Sequence, residues 1–521
     1  MGGAEFKFFF CCHVQTHNRP QTPHTSKKMS SCYTTVTASV VQIAATGALG
    51  RMLDNLKARE IDIFASSYFT TKSFAHGFER DAHEEQIYSK KKNASIKGKF
   101  EISRAFDLVH QLYVVIDLPG IGNTLASGKI AAAKAGDNTE ANEAAMPYYT
   151  NGAGCALIEE VHLSMGGHSI ACLTGPLIFL FEELAGTPGK RADQLLAKAS
   201  TVAELKAKST RAQRLYIPMY FYFCSTRGSL SNSLNVIGAQ FQRIHLDMVL
   251  NSLASVIENG AASLAAINNS AAAQRTIVLD PISLEPMVSP VRSGGDVDYS
   301  AAKNDAANRD LCTATNVSRV SVDTHGITLS EAERATFSNV NAMNLMNEVH
   351  ILNRTGTNAL NANDTQIDVT QFAKNLVYEI LIAARVTSDG GVRTGPLRFD
   401  GATDSVTGET YGPLASIDVT ISGQQRFPAR IEAEVFNQVI PFLHHSLIPE
   451  HSGVYSIPFS FFPEDSSVPD SHANVSKLDS LTLTLRRPSA APADVTTDAH
   501  IFALSYNLLV EQRGMKAKFF V

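Results

Sequence analysis

Side chains able to ligate a metal, move a proton or attack a carbonyl fall into a few small groups in this 521-residue chain. His83-Glu84-Glu85 and His76-Gly77-Phe78-Glu79 set carboxylates beside imidazoles. Neither has the His-Glu-x-x-His spacing that brings two imidazoles to one helix face around zinc, with a carboxylate as base. His444, His445 and His451 fall in one short stretch. A bound metal needs three or four convergent ligands, so this group is expected to be a loop or interface cluster; pH-sensitive assembly at roughly pH 6 is the lesser alternative. Gly120-Ile121-Gly122 and Gly152-Ala153-Gly154 lack the G-x-G-x-x-G spacing and the strand-to-helix context of a phosphate loop, and read as turns. There is no G-x-S-x-G elbow and no P-loop. Cys11, Cys12, Cys32, Cys155, Cys172, Cys224 and Cys312 include no C-x-x-C pair, which argues against a zinc ribbon or a dense disulfide framework. Cys155, Cys172 and Cys224 lie within or beside apolar runs and read as small core residues. No catalytic, cofactor-binding or metal-ligating residue is nominated; neither enzyme activity nor a cofactor is expected.

The most basic stretch is Lys90-Lys91-Lys92 with Lys97, Lys99 and Arg104. It reads either as a solvated hairpin edge guarded against aberrant pairing, or as a contact for an acidic protein or lipid headgroups. Overall, 45 Lys+Arg against 50 Asp+Glu give a net charge of −5. That balance argues against binding nucleic acid through phosphate neutralisation. No apolar run reaches the ~18 residues of a spanning helix; Gly175 to Leu184 comes nearest and is cut by Pro176 and Glu182-Glu183. Phe8-Phe9-Phe10-Cys11-Cys12 is too short for a signal h-region, so no export signal is expected. On that reading the N-x-[ST] sequons at Asn93, Asn268, Asn316, Asn353, Asn363 and Asn474 are chance matches.

The elements that must carry these residues are mostly strands. Ile96, Gly98, Phe100 and Ile102 alternate with Lys97, Lys99 and Glu101, the period of a half-buried strand. Ile417, Val419 and Ile421, then Leu481, Leu483 and Leu485, then Phe502, Leu504, Tyr506 and Leu508 repeat it. Leu112 to Leu118 and Leu215 to Cys224 are denser and read as strands buried on both faces. Helical spacing is local, at Arg191 to Arg211 and at Ser330 to Asn347, the latter with Ser330 and Glu333 as a capping box. Segments rich in Ala, Gly, Asn and Ser at about 120–146, 258–310 and 388–412 exceed ordinary connections and read as surface loops. Apolar residues at 44% and charged residues at 18% are globular usage. The length allows two large β-domains, so the expected architecture is all-β, two sandwiches in tandem.

Particular segments carry a family resemblance. Ser422-Gly423-Gln424-Gln425-Arg426-Phe427 with Phe436-Asn437-Gln438-Val439-Ile440-Pro441 is similar to "NGQDRF … YFNxVQP". His451 to Glu464, including Gly453, Tyr455 and Pro463, resembles "GIYxYSFxLxPE". Asn474-Val475-Ser476-Lys477-Leu478-Asp479 resembles "NxSRID", and Ser505-Tyr506-Asn507-Leu508-Leu509 with Gly514-Met515 resembles "NYNxLRxxxGM". In the first half, Gln42 to Ala48 resembles "QLVAYGA", Ile158 to Ile170 with Gly166 and Gly167 resembles "VELEIGGQRI", and Leu215 to Cys224 with Pro218 is similar to "YVPLxFWF". Asp323 to Phe337 resembles a stretched "LDTxERxxF". These motifs, in this order from about residue 40 onward, resemble the major capsid proteins of nucleocytoplasmic large DNA viruses. The chain departs from the pattern in having no Trp, in Lys477 for Arg, in Gln371 to Tyr378 where "NHPxKxLxW" stands, and in an apparent insertion near 258–310.

The resemblance implies a double jelly-roll, two eight-stranded antiparallel β-sandwiches with short helices in loops and linker. The expected division is an N-terminal arm at 1–61, a first jelly-roll at 62–328, a helical linker at 329–345 and a second jelly-roll at 346–521. Residues 1–28 are expected to be disordered or an extension ahead of Met29. Gly166, Gly167, Pro218, Gly423, Arg426, Phe427, Gly453, Tyr455, Pro463, Asn474, Ser476, Tyr506 and Asn507 would be structural positions of the family motifs. The implied function is a structural capsid protein in the virion, assembled in host cytoplasm or nucleus, trimerising into pseudo-hexagonal capsomers that tile an icosahedral shell. Its implied partners are its own copies, neighbouring capsomers, minor capsid proteins and an internal membrane reached by the arm, with no direct sequence-specific contact to nucleic acid. A double jelly-roll minor capsid or scaffold-like paralogue, or a glycan-binding β-sandwich protein, are the alternatives.

Overall fold

The computed structural model describes residues 75–81, 96–118, 148–258 and 319–519 apart from short interior stretches, and the short strands at 277–279 and 286–288. The arm at 1–61, His83-Glu84-Glu85, Lys90 to Lys92, the loop at 120–146, most of 258–310, parts of 388–412 and every sequon except that at Asn474 lie outside the described residues.

The first lobe runs β1 (Ala75–Asp81), β2 (Ile96–Glu101), β3 (Leu108–Leu118), β4 (Ile158–Met165), β5 (His168–Thr174), β6 (Gln213–Pro218), β7 (Ile244–Leu250) and β8 (Arg319–Thr328). They pair antiparallel in the orders β1-β8-β3-β6 and β2-β7-β4-β5. The second lobe runs β9 (Ala342–Ile351), β10 (Asp364–Asp368), β11 (Leu376–Asp389), β12 (Ser416–Ile421), β13 (Gln424–Gln425), β14 (Val454–Pro458), β15 (Leu481–Arg486) and β16 (Thr496–Gln512), with β17 (Met515–Lys518) folded back on β16. Its orders are β9-β16-β11-β14 and β10-β15-β12-β13. Each first-lobe label raised by eight gives the second lobe. Apart from the hairpins β4–β5, β12–β13 and β16–β17, strands consecutive in sequence sit in opposite sheets, the wrapped connectivity of a jelly-roll. The chain is a double jelly-roll.

Among the described residues, five α-helices join the strands: α1 (Ala153–Leu157), α2 (Gly175–Leu184), α3 (Val202–Ser209), α4 (Glu331–Ser338) and α5 (Ile440–His444). α2 is the apolar run noted in the sequence. Pro176 sits in its first turn, where its missing N–H costs nothing, and the helix is buried almost all round, Glu182 and Glu183 included. The helix expected over Ser330 to Asn347 stops at Ser338. Asn339, Asn341, Asn344 and Asn347 are weak helix formers, and β9 satisfies its backbone on β16 instead, from Ala342 opposite Glu511 to Ile351 opposite Phe502. Ser330 leads into α4, its hydroxyl donating to Glu333 at 3.2 Å. The strand expected over Leu215 to Cys224 ends at Pro218, which has no N–H for a ladder; Met219 to Cys224 leave the strand conformation, mostly buried.

β11 and β16 bury apolar side chains on both of their faces. Ile380, Ile382, Ala384, Ile501 and Ala503 face the second lobe's own core. On the opposite face, Tyr378, Leu381, Ala383, Phe502, Leu504 and Tyr506 join the core of the first lobe. In the sheet β9-β16-β11-β14 the central strands β16 and β11 are thus buried on both sides, and residues Ser73–Val521 form one compact unit.

Candidate functional site: the lobe seam and the exposed apolar faces

The seam is locked by two polar clamps set in that shared core. In the first, α2 presents Glu183, which accepts from Lys198 Nζ at 2.7 Å and from the Glu450 backbone N–H at 3.0 Å. Burial works against this carboxylate's charge, but Lys198 and the N–H outweigh it and hold its pKa below the usual range. Lys198 also lies 4.2 Å from the Phe179 ring centre. Phe179 packs on Phe399 at 5.6 Å and on His451 at 5.3 Å, and His451 Nδ1 lies 2.8 Å from Asp400 Oδ1. The backbone joins in, the Leu447 N–H donating to the Leu184 carbonyl at 3.0 Å.

The second clamp closes the other part of the seam. Asn235 donates to Glu511 at 3.1 Å and to the Phe337 carbonyl at 3.0 Å. Glu511 also takes Lys516, whose ammonium is buried, and Asn344 at 3.3 Å. Gln242 accepts from the Lys516 N–H at 2.7 Å, tying β17 to the first lobe. Removing one partner from such a network strands a buried charge, at a cost of about 3–5 kcal/mol.

Against these closed clamps, two apolar faces stay open. On α5 and the turn before it, Val439, Phe442 and Leu443 are exposed, and Phe461 and Phe462 stand beside them at 68% and 66% exposure. The two segments touch through His444, whose Nδ1 lies 3.1 Å from the Phe461 carbonyl. The second face gathers Phe241, Met343 and Met515 near the end of β16. Exposed large side chains in such groups mark interaction surfaces.

The expected histidine cluster does not form a single site. His445 is buried with Nε2 2.8 Å from Glu379 and Nδ1 3.3 Å from Glu464. Burial opposes its charge, but the two carboxylates prevail and raise its pKa to about 9. His451 is likewise raised, burial being outweighed by Asp400 and Glu183. His445 therefore titrates well above pH 6, which counts against the alternative of a switch there. His76 packs on His110 at 5.8 Å between ring centres. One ligand-like group had no signal in the sequence: Glu160, His162 and Cys172 converge across the β4–β5 hairpin.

The motif residues are scattered through both lobes and keep backbone geometry. Gly166 and Gly167, at φ 58° and 88°, make the β4–β5 turn. A Cβ at Gly453 would lie 2.1 Å from the Ala384 carbonyl oxygen and 2.7 Å from that of Phe399, so only glycine lets β14 approach there. Pro218 ends β6 and Gly423, at φ 79°, turns β12 into β13. Arg426 donates to the Pro458 carbonyl at 2.6 Å and lies over Phe459 and Phe427. Tyr455 and Pro463 are buried. Asn474 pairs with Leu376, and the Ser476 hydroxyl accepts from the Asn375 N–H at 2.9 Å. Tyr506 stacks on Tyr378 at 4.5 Å, and Asn507 donates to Glu348 at 2.7 Å.

The match to known proteins runs over both lobes. A model described as major capsid protein N-terminus matches residues 64–282, and one described as large eukaryotic DNA virus major capsid protein matches residues 333–517. The major capsid protein of Phaeocystis pouchetii virus is 23% identical over 484 residues, covering 80% of this chain and 87% of that protein. Among solved structures, PBCV-1 VP54 fitted into a reconstruction of the virophage Sputnik superposes with a TM-score of 0.57 at 17% identity, covering 87% of this chain and all of that one. The Faustovirus major capsid protein gives 0.55 at 12% identity, covering 85% and 91%. With its two jelly-rolls matched in chain order by the two halves of one family, the chain belongs to the large eukaryotic DNA virus major capsid proteins, structural components of the virion capsid.

Proposed function

We propose that three copies close into a pseudo-hexagonal capsomer, six lobes in a ring, and that capsomers tile an icosahedral shell without any catalytic step. The observation that carries this reading is the pair of open apolar faces on a chain whose lobes are already locked together. A three-fold ring uses heterologous contacts, in which each protomer offers two different patches. Obligate interfaces of this kind bury on the order of 2,000–5,000 Å². The motif residues serve the fold that presents these faces. In the same reading the arm at 1–61 runs from the first jelly-roll, taken as 62–328, toward minor capsid proteins or an internal membrane. The connection at 329–345 already includes the start of β9. Assembly takes place in host cytoplasm or nucleus.

Light scattering after gel filtration tests it. The purified chain is expected at three times 56.2 kDa, about 169 kDa, and the double variant Phe442→Glu/Leu443→Glu as a folded monomer. A wild-type mass of 56.2 kDa at every concentration overturns the reading.

A further inference from the structure

β4 and β5 form a hairpin whose register shifts by one residue between Leu163 and Ser164. Before the shift Met165 faces His168 and Ser164 faces Ser169; after it His162 faces Cys172, where an unshifted ladder would give Ala171. The displaced residue, Ile170, is buried in the first-lobe core. The bulge thus turns Cys172 onto the same outer face as His162, and Glu160, two residues along β4, shares that face. His162 Nε2 lies 2.9 Å from Glu160 Oε2 and 3.9 Å from Cys172 Sγ, and the three ligand atoms lie within 4.8 Å of one another. A tetrahedral zinc with bonds of about 2.0–2.3 Å holds its ligand atoms roughly 3.3–3.6 Å apart, a range these distances bracket.

We propose that Glu160, His162 and Cys172 form a site for a zinc-class divalent metal. One thiolate, one imidazole and one carboxylate suit a borderline-soft ion and not calcium or magnesium, which take oxygen ligands. On binding, the Cys172 thiol gives its proton to solvent and the thiolate bonds the metal. Glu160 and His162 are partly exposed, so the fourth position opens to water. Across β4 from Cys172, Asp247 faces His162, accepts from Ser164 Oγ at 2.8 Å and pairs with Lys99 at 3.6 Å. The metal fastens β5, an edge strand that touches β9 and β17 of the second lobe, to its neighbour β4. The site is independent of trimerisation.

Cobalt titration of the full chain tests this, because a thiolate ligand gives cobalt(II) a near-ultraviolet charge-transfer band. Wild type is expected to develop that band to saturation at one metal per chain, with zinc displacing it and raising the melting temperature. Cys172→Ser should lose the band, and His162→Gln should weaken binding at least about tenfold, since even outer-shell changes cost that much. The cysteines and histidines near the N-terminus are the competing ligands, so a band of unchanged strength in Cys172→Ser overturns the proposal, as does no band in wild type. If Cys172→Ser fails to fold, unchanged cobalt affinity in His162→Gln overturns it equally.

Discussion

His445 shows how single residues in this chain hold charge inside a β-protein. Its ring is buried between Glu379 and Glu464, and Ser456 Oγ lies 3.0 Å from its Nε2 while donating to Glu379 at 2.7 Å. The folded pKa of about 9 stands above the ordinary 6.5. A raised pKa means that the folded state holds the proton more tightly than the unfolded chain does. The stabilisation is complete below about pH 6.5 and is lost as pH rises through about 9, and its size is about 3 kcal/mol. Denaturant midpoints measured from pH 6 to pH 10 should fall for wild type across that window and stay flatter for His445→Gln, which is also less stable at neutral pH. Parallel curves for the two proteins would show that the imidazole is not charged in the fold. The same ion cluster anchors the end of α5, with the Ser446 N–H donating to Glu464 at 2.6 Å, so His445 helps to fix the segment that displays Phe442 and Leu443.

At the scale of elements, α2 and the sheet β9-β16-β11-β14 decide how the lobes meet. Phe179 on α2 and Phe399 after β11 are both fully buried, with ring centres 5.6 Å apart. Each change to alanine should cost about 3–5 kcal/mol. A double-mutant cycle on Phe179→Ala and Phe399→Ala should return a coupling of about 0.5–1.5 kcal/mol, whereas strictly additive losses would mean that the lobes do not share this contact. Much of this level was legible in the sequence. The alternation at Ile96 to Ile102 became β2, with Gly98 and Phe100 buried and Lys97 and Lys99 exposed, and the paired glycines 166 and 167 marked their turn. What covers the outer face of a strand was not legible. Phe502, Leu504 and Tyr506 have the same pattern whether they face their own lobe or its neighbour, because periodicity reports a buried face and not what buries it. The end of α4 was missed because a capping box fixes where a helix starts and says nothing of where it stops. The Glu160, His162 and Cys172 group was missed because a register shift, invisible in the residue types, sets which residues oppose each other.

For the whole molecule, a core that crosses the seam makes each lobe depend on the other. Tyr378, Leu381, Phe502, Leu504 and Tyr506 belong to second-lobe strands but are packed into the first-lobe core. A fragment 329–521 would leave them open to water. Each large apolar side chain so exposed forfeits about 1.5–3 kcal/mol, a heavy loss against the 5–15 kcal/mol net stability typical of a domain. The two clamps add to this, since either lobe alone keeps Glu183 without Glu450, or Glu511 and Lys516 without Asn235. The full chain should therefore melt in one calorimetric transition at fixed concentration, and Phe502→Ala should lower the melting temperature of the whole molecule. The fragment should bind a hydrophobic dye or precipitate. Two resolved transitions, only one of them moved by Phe502→Ala, would mean that the lobes fold independently and that the seam is a contact between finished domains. A single transition would mean that the two lobes unfold as one unit, so that strain placed on the exposed face of α5 is carried through β14 and β11 into the first lobe.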